Sequence, residues 1–184
     1  MSPSLPRLDT PLSDGKVIIR EWTAADVPAM TTHLNDPEIA RWTRVPTHYT
    51  REHAEAYLAE MDERRRAEQE LALAVVDPDG GDLIGALNLR ITSWEHRRGE
   101  FAAAFFAHGR GRHLAPSAGR LLARYAFEEL GLARIEALLA VENVAVQRAT
   151  ERAGFTREAT LRRYVERNGE WLDMVIYSLL PEDL

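Results

Sequence analysis

The chain has no cysteine among its 184 residues. That excludes disulfides, thiolate zinc ligands and a cysteine nucleophile. It also has no apolar run near the ~20 residues that a membrane-spanning helix needs. The first ten residues carry Pro3 and Pro6 and no apolar core of signal-peptide length, so a cytoplasmic location is the expectation. Internal repeats, linkers and low-complexity stretches are absent too. Six histidines are present, but His48/His53 and His108/His113 each stand five apart, the wrong spacing for one helix face. No metal is expected. The formal net charge of -6 argues against nonspecific binding to nucleic acid or to an anionic membrane. It favours a cationic partner such as an amine, although a local basic cleft can hide inside an acidic total.

Hydrophobic residues make up 45% of the chain and charged residues 28%, the balance of a globular domain with a core. Residues 1–15 read as a flexible leader ending at Asp14-Gly15, and residues 16–184 as a single domain. Lys16 to Glu21 reads as a strand. Thr23 with Asp26 resembles a capping box, which predicts a helix to about Leu34, broken by Asn35-Asp36-Pro37. Thr50 can cap a second helix, with Ala54, Tyr57, Leu58 and Met61 on one face. The charged run Asp62 to Glu70 reads as its solvated end. Leu71 to Val76, Leu83 to Ile91 and Glu100 to Ala107 read as a three-stranded meander. Pro116 to Leu130 reads as a helix stopped by Gly131, and the apolar Arg134 to Val141 as a strand covered on both faces. Asn143 caps a short helix ending at Gly154. Strands around Phe155 to Glu166 and Trp171 to Leu180 close the chain through an Asn168-Gly169 turn. The order predicts an α/β (α+β) domain with a mixed sheet of about seven strands and helices on both faces.

The segment from His108 to Pro116 joins a strand to a helix and is rich in glycine and arginine. Unpaired N–H groups at a helix start, with the helix dipole, make an anion site, and glycine lets the anion approach. Arg110 and Arg112 add positive charge, and a pyrophosphate fits. The plain alternative is a basic turn that caps a helix. A dinucleotide fingerprint is excluded because the loop follows a meander instead of opening a βαβ unit. A Walker A loop is excluded because the Gly-Lys-Ser/Thr ending is missing.

Four segments in order carry a family resemblance. Arg97-Arg98-Gly99-Glu100-Phe101-Ala102, followed by Arg110-Gly111-Arg112-His113-Leu114-Ala115-Pro116-Ser117-Ala118, resembles the acyl-CoA-binding motif of the GNAT N-acetyltransferase superfamily. The run from Glu142 to Phe155 resembles the second motif of that family. The ending Asn168-Gly169-Glu170-Trp171-Leu172-Asp173 with Tyr177-Ser178-Leu179-Leu180 is similar to the RimJ/RimL branch of ribosomal-protein N-terminal acetyltransferases. So is Leu34-Asn35-Asp36-Pro37-Glu38-Ile39-Ala40-Arg41-Trp42-Thr43. The likeness covers about residues 16 to 180.

The resemblance implies a GNAT fold, with a mostly antiparallel mixed sheet, and acetyl-CoA or another acyl-CoA as cosubstrate. The pantetheine arm would lie along Ala104, Phe105 and Phe106. The pyrophosphate would sit on Arg110, Gly111, Arg112, His113, Leu114 and Ala115. Asn143 would touch the arm, or serve only as a helix cap. The sequence departs from the family at several positions. His113 stands where the family has a glycine, His108 where it often has Gln or Arg, Val146 for a serine, Thr150 for a tyrosine acid, and Ala103-Ala104 for an aromatic pair.

Without cysteine, direct attack of the amine in a ternary complex is the natural scheme. Glu100 is the first candidate base, the alternative being a surface pair with Arg97 or Arg98. Asp173 is a candidate to hold the amine or to pair with an arginine. Thr150 or Tyr164 could assist the leaving thiolate or simply belong to helix and core. Trp42, Thr43, Tyr49 and His96 are candidates for the acceptor pocket, with core or surface as the alternative. The acceptor would be a small-molecule amine or a protein N-terminus, and a homodimer is one expected assembly. Two other readings stay open: a GNAT-fold acyl-CoA-binding module without catalysis, and a GNAT that uses a non-CoA acyl donor.

Overall fold

Along the strand at 71–76, alternate side chains must point to opposite faces, so two separate layers are needed to cover them. The computed structural model, which describes residues 5–167 and 169–184, shows both layers. Strand β1 (Leu12–Ser13) and β2 (Ile18–Glu21) lead through a short 3-10 turn into helix α1 (Val27–His33). Helices α2 (Pro37–Trp42) and α3 (Arg51–Arg66) follow. Strands β3 (Glu70–Val76), β4 (Leu83–Ser93) and β5 (Arg98–Phe105) form the meander. Helix α4 (Leu114–Glu128), β6 (Arg134–Ala140), α5 (Val144–Arg152), β7 (Thr156–Arg167) and β8 (Glu170–Leu179) complete the chain.

The sheet runs β1-β2-β3-β4-β5-β6-β8-β7, and among the described residues only β5 and β6 pair in parallel. Leu71, Leu73 and Val75 join Ala118, Leu122 and Ala126 of α4 in one buried cluster. Ala74, between them, joins Met30, Ala54 and Tyr57 on the opposite face. Helices therefore cover both faces, as the order of elements predicts. Among the described residues no helix is long and apolar enough to cross a membrane.

Several expectations are corrected. Residues 5–15 are not a leader: Leu5 and Leu8 are buried, the Leu8 N–H reaches Glu21 at 2.9 Å, and β1 pairs with β2. Their apolar side chains lose water contact only by packing on the domain. Asn35-Asp36-Pro37 ends one helix and starts another, because Asp36 accepts the Glu38 N–H at 2.9 Å and Pro37 suits a first helical position. Helix α4 begins at Leu114, two residues before Pro116, and β5 stops at Phe105. Glu70 is no solvated helix end. It opens β3, is 9% exposed and is held by Asn88 and Arg64. Of the expected closing turn, Asn168 lies outside the described residues; Gly169 takes φ +82, as such a turn requires.

Candidate active site

The parallel pair β5–β6 is the odd one in the sheet. Its ladder runs from Arg98↔Arg134 to Phe101↔Ala137 and then stops. Beyond that point Ala102–Phe105 still pair with β4, and Leu138–Ala140 still pair with β8. The two strands therefore part like a V. Ala102 and Ala103 are exposed on its β5 wall, and Ala104 and Phe105 are half-buried.

The chain leaves β5 through a 3-10 turn (Ala107–Gly109) and enters α4 at this same open end. Gly111 takes φ +74 with open space where a side chain would stand, and His113 takes φ +58 as the residue before the helix. Among the described residues the N–H groups of Gly111, Arg112, His113, Leu114 and Ala115 have no acceptor meeting hydrogen-bond geometry. A helix start with free donors and a glycine beside it suits an anion. Leu114 is buried, so only its backbone can serve.

The two loop arginines are already engaged. Arg110 bridges Asp36 at 2.6 Å and gives its Nε–H to the Phe105 carbonyl at 2.8 Å. Arg112 bridges Asp77 at 2.6 Å. They anchor the loop to α2 and to the β3–β4 turn, where the sequence reading expected phosphate partners. The nearby cation missed from the sequence is Arg152, at the end of α5, whose Nη1 lies 3.4 Å from His113 Nδ1. Arg120 fixes that helix end by donating to the Arg152 carbonyl at 2.7 Å. Gly119 lets α4 and α5 approach: a Cβ there would stand 3.6 Å from that of Ala153. The spacing of 113, 120 and 152 carries no signal of this grouping, because α4 and α5 meet only in the tertiary fold.

Asn143 caps α5, accepting the Val146 N–H at 3.3 Å. Thr150 is half-buried on α5, and its carbonyl receives Ala153 and Phe155. Glu100 lies on β5 just before the parting and turns to the α3 face, where its partner is Arg90 at 2.7 Å instead of Arg97 or Arg98. Asn88, opposite Ala102, shares that face. Its amide gives hydrogen bonds to Tyr57 at 3.1 Å and to Glu70 at 2.7 Å. Burial pushes the Tyr57 phenol up to about 12, so it stays protonated as a donor. This polar group went unread because Asn88 looked like an ordinary strand residue and Glu70 like a solvated helix end.

Other expected site residues lie elsewhere. Phe106 is fully buried and stacks on His33 at 5.0 Å, so it is core and not cofactor wall. Tyr49 is also core, with its backbone clasped by Asn35. His96 sits in the β4–β5 turn, at the end of β5 remote from the parting, with its N–H on Ser93. Trp42 donates to Glu38 at 3.1 Å beneath the Arg41 guanidinium, and the Thr43 hydroxyl donates to the Ile39 carbonyl at 2.7 Å; both finish α2. Asp173 accepts the Arg163 N–H at 2.7 Å, and its carbonyl receives Val141 at 3.1 Å.

The mixed sheet thus opens at its parallel pair, with a donor-rich helix start at the opening, the geometry of a cleft that can take an elongated anionic cosubstrate. The family model described as "Acetyltransferase (GNAT) domain" matches residues 16–156, and the chain belongs to the GNAT acetyltransferase family. Acyl-CoA-dependent N-acetyl transfer is the activity class that this membership carries. The "Probable N-acetyltransferase YjcK" of Bacillus subtilis (strain 168) is 32% identical over 146 residues, covering 76% of this chain and 78% of the relative. Mycobacterium smegmatis RimJ, solved in complex with CoA-disulfide, superposes with TM-score 0.86 at 21% identity over 100% of this chain and 92% of the other. A spermidine N-acetyltransferase from Vibrio cholerae, solved with CoA and spermine, gives TM-score 0.79 at 21% identity over 92% and 98%.

Proposed function

We propose that the chain, as one domain formed by residues 16–184 with residues 5–15 packed on it, transfers an acetyl or related acyl group from acyl-CoA to an amine by direct attack in a ternary complex. The observation that carries this is the V between Ala102–Phe105 and Leu138–Ala140, with the free N–H groups of Gly111 to Ala115 at its open end. Acyl-CoA fits: its pyrophosphate would take the loop amides, and its thioester would supply the activated carbonyl. Asn143 would steady the arm, as a helix cap with a spare amide can. Glu100 would accept the proton of the amine, directly or through water, from the α3 face beside Arg90. Thr150 would stand by the leaving sulfur, and Asp173 would keep the β7–β8 hairpin in shape at the rim. The acceptor is a small-molecule amine or a protein N-terminus; the spermidine enzyme among the structural neighbours supports the first kind.

Calorimetry with acetyl-CoA tests the reading. Binding is expected in wild type, and Gly111→Asp should abolish it by setting a charge against the phosphates in a residue that also needs φ +74. No heat at millimolar ligand in wild type would refute the acyl-CoA reading.

A further inference from the structure

Strand β7 carries a break that the V does not require. The register passes from Leu161↔Met174 directly to Val165↔Leu172, so Arg162, Arg163 and Tyr164 face the single residue Asp173. Arg163 takes φ +50, a conformation that strains an L-residue, and its N–H is held by Asp173. Such strain persists where the surroundings enforce it, and it gathers at sites that aim side chains. Here it aims guanidinium groups. Arg162, Arg163, Tyr164, Asp173, Thr160 and Leu161 line an open recess of about 690 Å³. The Arg163 guanidinium is braced 5.4 Å from the centre of the Trp171 ring, and Arg157 donates to the Thr160 hydroxyl at 2.7 Å.

Arg20, Arg90, Arg110, Arg112 and Arg134 each have a carboxylate partner. Among the described residues Arg162 and Arg163 have none within the 4.0 Å ion-pair limit. The nearby carboxylates are committed: Glu158 to Arg134, Glu166 to the Gly169 N–H and Asp173 to Arg163 N–H. Its lining sets two guanidinium groups against the one carboxylate of Asp173, in a chain that as a whole is at -6. It adjoins the V, because the Asp173 carbonyl receives the N–H of Val141, the residue after β6.

We propose that this recess docks an anionic group of the acceptor, a carboxylate or phosphate, so that the amine substrate carries a negative charge. The inference rests on the acyl-transfer reading above. Forked guanidinium groups suit planar or tetrahedral oxyanions. The exposed Tyr164 phenol adds a donor. A polyamine would find one carboxylate here, already engaged.

The experiment compares matched amines: O-phosphoethanolamine against ethanolamine, and a peptide beginning Ser-Glu-Asp against one beginning Ser-Gln-Asn. Wild type should acetylate the anionic member of at least one pair with the higher kcat/KM; which pair responds tells a small metabolite from a protein N-terminus. In the double variant Arg162→Ala, Arg163→Gly the anionic-to-neutral ratio should fall about tenfold or more, chiefly through KM. Glycine accepts φ +50 without strain, so the bulge survives the substitution. Calorimetry of O-phosphoethanolamine and of the acidic peptide on the CoA-loaded protein gives a readout free of turnover, and the variant should lose that heat. Equal ratios in wild type and variant, or a wild-type preference for neutral amines or spermidine, overturn the proposal while leaving acyl transfer standing. Failure of acetyl-CoA to bind at all is the separate failure of the reading beneath it. Heat from O-phosphoethanolamine or the acidic peptide that persists in the variant places the anion elsewhere and also overturns it.

Discussion

Glu100 and His113 show how a residue's setting decides its use. Glu100 was legible as the carboxylate on the strand leading to the cleft, yet its partner was not. Arg90 lies ten residues away in sequence and directly across the β4–β5 ladder. If Glu100 takes the proton of the amine, Glu100→Gln should lower kcat by ~10²–10⁴ with little change in acetyl-CoA affinity. The loss should shrink as pH rises and the amine deprotonates unaided. A wild-type kcat across pH 6 to 9 would make Glu100 structural. His113 holds φ +58, which glycine adopts freely and a β-carbon resists. His113→Gly should therefore stabilise the protein by about 0.5–1 kcal/mol in denaturant titration. It should also separate two roles. Acetyl-CoA affinity as good as wild type means the imidazole merely replaces glycine. Weaker affinity means that His113, beside Arg152, meets phosphate. A stability loss of more than 1 kcal/mol would contradict the strain argument.

Backbone ladders and two apolar clusters join the elements, and one ion pair skips over a strand. Arg134 of β6 reaches across β8 to Glu158 of β7, with Nη2 2.6 Å from the carboxylate, while Ser178 of β8 donates to the same carboxylate at 2.7 Å. The Arg134 guanidinium, then the Ser178 hydroxyl, hold the Glu158 carboxyl at about 2, below its ordinary value. Because the folded value is the lower one, the contribution is fully present above the unfolded value near pH 4.5. It is lost as pH falls towards 2. The Glu158 side chain is 39% exposed, so solvent screening limits the effect to about 1 kcal/mol or less. Glu158→Gln should be less stable than wild type at pH 6, and the gap should close between about pH 4.5 and 2 in acid unfolding followed by circular dichroism. A gap that does not change with pH would show that the ion pair adds nothing. The β7 bulge belongs to this scale too. The sequence predicts one continuous strand from Phe155 to Glu166, whereas the structure puts three residues opposite Asp173. No turn residue announces it, since its left-handed position is an arginine.

Across the whole molecule, the sheet's one parallel pair and its opening are what turn a common α/β layer arrangement into a cofactor cleft. The sequence by itself determined the order of elements from β3 onward, the two-layer cover and the helix start at the glycine-rich loop; it missed β1 and α2. What it determined follows from local chemistry: the continuous apolar run 71–76, caps at Thr50 and Asn143, and stops at Gly131 and Gly154. It also determined the family, through four motifs spaced along one chain. Only the tertiary structure decided which charges are free. Arg110 and Arg112 looked available beside the loop and are spent on Asp36 and Asp77, 74 and 35 residues earlier. Arg152 and the Arg162–Arg163 pair drew no reading from the sequence; the fold sets the first beside His113 and the others at the β7 bulge. The burial of Leu5, Tyr49 and Phe106 was decided in the same way. The physical reason is common to all of these. A backbone's local preference is written in neighbouring residues, but an ion pair or a buried ring depends on which distant segment the fold brings within a few ångströms.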